Sequence, residues 1–247
     1  MDNLGTLQLT QTWHKYGSCP AGTIPIRRKG KNYNPALLRK HNYPRLSPYK
    51  SSVTSRSNDT ADDSTEDSGV HEADEYTGTG CYNLLCDGFV HTTSNVSVGC
   101  SFSDVSTFNG SQKDVTFSIH KDQSSGHWWV QLQGIPTGYY PSSLFDGLSK
   151  EATRVDWGGQ IIDRNEERHT STQMGSGHFP SEGGLKTSSY FNWVQVVDET
   201  NMMKDPENVK TYIMNPNCYD LKIDNGNYDT NGYTFYYGGP GYNDICQ

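Results

Sequence analysis

From Tyr76 onward, short runs alternate apolar and polar residues, and turn signals close them. In residues 114–120, Val115, Phe117 and Ile119 fall on one face; Trp128, Val130 and Leu132 do the same in the next run. Residues 189–197 and 233–237 read as further strands. A period of two fits a pleated strand with one buried face; it does not build the stripe of an amphipathic helix. Asn109-Gly110, Asn225-Gly226 and Asn231-Gly232 are expected to form hairpin-type turns, because Asn and Gly accept positive φ. Residues 142–148 are the one stretch expected as a short helix, with Ser142 or Ser143 able to cap it. The expected fold is all-β, an antiparallel β-sandwich.

Composition agrees. Hydrophobic residues make up 32% and charged residues 19% of the 247, while aromatics reach 12% with 16 tyrosines. Tyr-, Thr-, Ser- and Gly-rich chains favour strands. The net charge of −8 argues against nucleic acid as a partner, which needs clustered Lys and Arg. The one basic cluster, Arg27-Arg28-Lys29-Gly30-Lys31, reads as an exposed processing or linker site. No run approaches the length of a transmembrane helix, so no membrane partner is expected.

Three zones follow. Residues 1–50 are basic and dotted with prolines. Residues 51–75 are Ser-rich and then acidic, with no large apolar residues to seed a core, and are expected to be a disordered linker. Residues 76–247 carry the strands.

The six cysteines are compatible with disulfides. Cys81 and Cys86 are close enough to bridge a tight loop, and Cys218 and Cys246 could staple the last segment to the body. The partners of Cys19 and Cys100 stay open. Sequons stand at Asn58, Asn95 and Asn109. Cysteines and sequons lean towards an extracellular chain. The opening MDNLGTLQLTQTW has no apolar signal core, so the natural N-terminus is expected to lie elsewhere.

One block stands apart: VDWGGQIIDRNEERHTSTQMGSGHFPSEGG at 155–184, with two histidines and six glycines. Three strings accompany it: GCYNLLCDGFV at 80–90, GHWWVQLQGIPTGYYPSSLF at 126–145 and FYYGGPGYNDICQ at 235–247. Together they resemble the neprosin family, plant glutamic peptidases. WHKYGSCPAGTIPIRR at 13–28 resembles the end of that family's activation peptide.

The resemblance implies a twisted antiparallel β-sandwich, secretion as a zymogen, and proline-directed endopeptidase activity on peptide or protein substrates, with no cofactor. Two glutamates would share the work: one activates a water, and the other, protonated, donates to the scissile carbonyl or leaving amine. The cleft would be lined by Trp157, Gly158, Gly159, His169, Gln173, His178 and Glu182.

This chain departs from the pattern twice. The family's W-G-G-E motif is here Trp157-Gly158-Gly159-Gln160, and an amide hydrogen-bonds but does not transfer a proton at neutral pH. The first family glutamate belongs to an I-E-A-G-W type string before the GCY motif, and that string is absent, which leaves an incomplete sandwich. Glu66, Glu72 and Glu75 lack flanking apolar residues to fix them as substitutes. Another glutamic peptidase family uses a Glu/Gln pair, but Gln160 would still need a glutamate partner. An inactive peptidase relative is therefore expected; the alternative is a non-enzymatic domain binding proline-rich peptides or cell-wall glycans.

Other readings are weaker. His169, His178 and Glu182 are spaced nine and four apart, unlike zinc-binding patterns, so no metal is expected. Trp128-Trp129 is expected to place one ring in the core and one on the surface rather than form a sugar platform. Ser176 lacks the G-x-S-x-G elbow of a serine nucleophile.

Overall fold

A computed structural model describes residues 10–20, 23, 54–55, 70–71, 81–82, 88–99, 101–145, 147–161, 169–224 and 232–246. The described strands are β1 (Thr54–Ser55), β2 (Val70–His71), β3 (Cys81–Tyr82), β4 (Val90–His91), β5 (Phe117–Lys121), β6 (Trp128–Leu132) and β7 (Ile135–Tyr140). They continue with β8 (Asp156–Trp157), β9 (Ser189–Phe191), β10 (Val196–Val197), β11 (Met203–Lys204), β12 (Asp220–Asp224) and β13 (Thr234–Gly238). The helical content described is four short 3-10 turns. The protein is all-β, as its alternation implies, and its sheets are antiparallel apart from the β1–β8 pair.

The chain divides into two compact units: residues 1–53, 66–104 and 114–155, and residues 54–65, 105–113 and 156–247. The first is built on the sheet β4-β7-β6-β5. Alternation along β6 sends Val130 and Leu132 inward, 3% and 8% exposed. It turns Trp129 and Gln131 to the other face. Leu132 pairs with Ile135, so Gln133 and Gly134 alone turn the β6–β7 hairpin, both at positive φ (50° and 71°). That geometry twists with the strands, and a glycine at its second position suits it. A bulge between Val130 and Gln131 shifts the register. Phe89 lies against Gly138 of β7 where a Cβ would stand 2.6 Å from its ring.

The opening segment joins this unit through Gln11, which is buried. Its amide donates to the Ser97 carbonyl (2.8 Å) and accepts from the Ser97 amide (2.8 Å) and the Trp13 indole (2.8 Å).

The second unit centres on the sheet β12-β13-β9. Val194, Phe235 and Tyr237 form its core, with Trp157, Met174, Phe191, Leu221, Ile223 and Tyr233 packed around them. Phe191 and Phe235 stack at 5.0 Å across the β9–β13 pair. A second cluster contains Cys218, Tyr219 and Cys246, and Met174 touches both. Cys218 and Cys246 are disulfide-bonded, with Cα atoms 5.2 Å apart. Cys86 and Cys100 lie outside the described residues, as does the side chain of Cys81; Cys19 is a free thiol.

Several local expectations change. Residues 142–148 form no α-helix: Ser142–Leu144 and Gly147–Ser149 are separate 3-10 turns, and Pro141 holds the first cap position with no side-chain bond. Seven residues are too few to offset the cost of nucleating a helix without strong caps. The strand at 114–120 is Phe117–Lys121; Phe117 and Ile119 do face Leu132 and Val130, although Phe117 on the edge is 40% exposed. The run 189–197 splits into β9 and β10, because Trp193 sits at φ 51° between them. Asn109 has positive φ (55°), but it turns a loop, with Gly110 N–H bonded to the Thr107 carbonyl, rather than a strand hairpin. The other two Asn-Gly turns fall wholly or partly outside the described residues. Neither Trp128 nor Trp129 is fully buried: the Trp128 indole donates to the Leu148 carbonyl (3.0 Å), and Trp129 lines an open groove. No described helix is long and apolar enough to cross a membrane.

Candidate functional site

β8 ends at Trp157, and the Gly158-Gly159-Gln160 turn follows it directly. Trp157 packs against the Val194–Phe235–Tyr237 core. Gly159 has no room for a side chain, since a Cβ would stand 2.7 Å from the Met174 sulfur and 3.1 Å from the Tyr237 ring. Ile161 packs on the disulfide cluster. Between these two anchored neighbours Gln160 is turned to solvent, and no described residue hydrogen-bonds its amide. The turn therefore presents one polar group from a fixed support, the arrangement a reacting group needs.

The glycines of the tail hold this region together. Gly238 lies so close to the 170–178 segment that a Cβ would stand 2.6 Å from the His178 carbonyl oxygen and 3.1 Å from that of Met174. At Gly241 the Thr172 and Thr170 carbonyls stand 2.6 and 2.8 Å from the same hypothetical atom. Met174 and Gly239 exchange backbone hydrogen bonds (2.9 and 3.2 Å). Residues 170–178 and 238–241, from two of the unusual strings, thus form one assembly, sealed by backbone approach where side chains would intrude.

The structure describes the other residues expected at a cleft one by one. His178 and Glu182 pair, with Nδ1 2.8 Å from Oε2. The other Glu182 oxygen accepts from the Phe179 amide (2.8 Å). The Phe179 amide first, and then His178, hold the Glu182 carboxyl below its usual range. Phe108 stacks on the His178 ring at 4.2 Å. Gln173 lies against Gly177, its carboxamide within 2.6–2.9 Å of a Cβ built there. The His169 ring lies 5.3 Å from that of Tyr219, with its Nδ1 3.0 Å from the Thr170 carbonyl. It also neighbours Cys218 and Cys246, but those sulfurs are bonded to each other and are not thiolate ligands. Ser176 donates to the Thr187 carbonyl (2.8 Å), which occupies its proton.

A general-acid carboxyl must stay protonated, which requires a raised pKa. The described carboxyl groups with a displaced pKa are Asp122, Glu182 and Asp198, and all three are pulled down by hydrogen-bond donors.

A second feature, less evident from the residues alone, lies in the first unit. The outward face of β5, β6 and β7 carries a groove of about 530 Å³ lined by His120, Asp122, His127, Trp129, Gln131 and Tyr139, among others. The signal for it is the other half of the β6 alternation: His127, Trp129 and Gln131 interleave with the inward Trp128, Val130 and Leu132.

Of the sequon asparagines, Asn95 and Asn109 are exposed and Asn58 lies outside the described residues.

An antiparallel all-β protein with a glycine-sealed Trp-Gly-Gly turn is the class this fold and site define. The sequence matches the Neprosin family over residues 57–240, well over half of the chain, and the protein belongs to that family. The WHKYGSCPAGTIPIRR string precedes the matched range.

Proposed function

We propose that this chain is an extracellular neprosin-domain protein that does not cleave peptide bonds. The observation that carries the reading is Gln160: a solvent-facing amide on a rigid turn, where the family motif W-G-G-E has a carboxyl group. An amide orients a water or a carbonyl but moves no proton between them. The missing I-E-A-G-W string supports the same conclusion. The Cys218–Cys246 disulfide supports an oxidising compartment, and exposed Asn95 and Asn109 are suited to carry glycans there.

The test is incubation of the full chain with proline-rich peptides at acidic and neutral pH, with products read by mass spectrometry. No cleavage is expected from the chain or from Gln160→Glu, because the second carboxyl alone does not complete the pair. Cleavage after proline that disappears in Gln160→Ala overturns the proposal. A second reading, a secreted domain that binds proline-rich peptides or glycans without turnover, draws support from the aromatic groove on β5–β7.

A further inference from the structure

We infer that the groove on the outward face of β5, β6 and β7 is a carbohydrate-binding site that holds pyranose units against Trp129, whose ring is braced by Tyr139. This takes up the glycan arm of the second reading and does not depend on whether Gln160 is silent.

The platform comes from register. Trp129 of β6 pairs with Tyr139 of β7, and their rings lie 4.9 Å apart. On the other side of β6, His120 of β5 also pairs with Trp129. His127 stacks on Tyr139 with centroids 4.7 Å apart and an interplanar angle of 1°. The His127 ring is pinned, because its Nδ1 accepts from the Ser142 amide (3.1 Å). In the neutral ring the proton then sits on Nε2, which becomes a donor. The volume lies within the range of about 300–1,000 Å³ common for small-ligand sites.

Polar groups at the rim select the ligand. Asp122 closes the turn between β5 and β6, with Oδ1 accepting from the Ser124 hydroxyl (2.7 Å), the Ser125 amide (2.8 Å) and the Ser125 hydroxyl (2.6 Å). No described donor is bonded to its Oδ2. The Ser125 and Ser124 hydroxyls lower the Asp122 pKa to about 2, so the carboxylate stays an acceptor through the acidic range. Gln131 adds both a donor and an acceptor.

A sugar ring matches this set. Its C–H faces lie on aromatic rings, and its hydroxyl rim both donates and accepts. A polyproline segment would also pack on the rings, but its imide nitrogens carry no hydrogen and offer nothing to Asp122. The acceptor at the rim therefore favours a hydroxyl-rich ligand.

The experiment titrates the full chain with cellohexaose, xylohexaose, mannohexaose and, separately, hexaproline, followed by tryptophan fluorescence and calorimetry. At least one hexasaccharide should bind and hexaproline should not. Trp129→Ala should weaken that binding about tenfold, the scale of one lost aromatic stack. Asp122→Asn should weaken it severalfold, and Trp129→Phe should retain part of it. Circular dichroism establishes that each variant is folded; if Trp129→Ala is not, Asp122→Asn and Trp129→Phe carry the test. Absence of binding by all three sugars, binding of hexaproline instead, or sugar binding that these substitutions leave unchanged each overturns the inference. The readout is binding, so its failure is distinct from any peptide cleavage that would overturn the inactive-peptidase reading.

Discussion

The sulfur of Met174 occupies the space that a side chain at Gly159 would need, 2.7 Å from where its Cβ would stand. Met174 in turn bridges the Phe235–Tyr237 core and the disulfide cluster. The glycine next to Gln160 is thus a packing requirement as well as a turn residue. Gly159→Ala should lower stability by about 1–3 kcal/mol, the usual cost of forcing extra atoms into a packed core. Thermal denaturation followed by circular dichroism measures it. An unchanged midpoint would mean that Met174 yields easily and does not fix the turn.

The strand at 128–132 was legible because burial alternates with side-chain direction, and that period is local, whereas 234–238, buried on both faces, was legible from its Thr and aromatic residues. The split of 189–197 was not. Trp193 holds φ 51° where its ring covers Gly232, a Cβ there standing 2.6 Å from it, and Val194 N–H bonds the Tyr233 carbonyl. Tertiary contacts override the β-propensity of the run. Gln160 could be read as a presented group from the double glycine alone. The seam of Gly238, Gly239 and Gly241 against 170–178 could not, since backbone approach between distant segments leaves no periodic trace. The groove needed the β5–β6–β7 register and its bulge to bring His120, Trp129 and Tyr139 side by side.

Gln11 is 1% exposed and ties the opening segment to both backbone groups of Ser97. Gln11→Ala removes two buried hydrogen bonds to the backbone and one to Trp13, and should cost about 1–3 kcal/mol. The loss should be local to that segment. Hydrogen exchange should show faster exchange over residues 10–17, while the amides of β6 keep their protection. Equal loosening of both would tie the segment to the whole unit instead.

The Cys218–Cys246 bond closes a loop of sequence separation 28 within the second unit. Chain-entropy arguments give such a loop about 3–4 kcal/mol of stabilisation. Replacing both cysteines by serine should reduce the stability of residues 156–246 by that order and loosen the contacts of Ile161 and Met174 on the cluster. The thermal midpoint with and without reductant checks it. If reductant lowers the midpoint of the double variant as much as that of the parent chain, the loss comes from elsewhere.

Glu182 supplies the pH dependence. Its carboxyl pKa is lowered in the fold by the Phe179 amide first and by His178 second. A depressed folded-state pKa means that stability is fully present above the unfolded value, about 4.3 for glutamate. It is lost as pH falls from there through the lower folded value. Glu182 and His178 are both well exposed, at 42% and 38%, so solvent screens the pair and the effect should be modest. Glu182→Gln should flatten the acid limb of the thermal midpoint measured against pH, with little change near neutrality. A midpoint that falls equally steeply in both proteins below the unfolded value would place the acid sensitivity on other carboxylates, Asp198 among them.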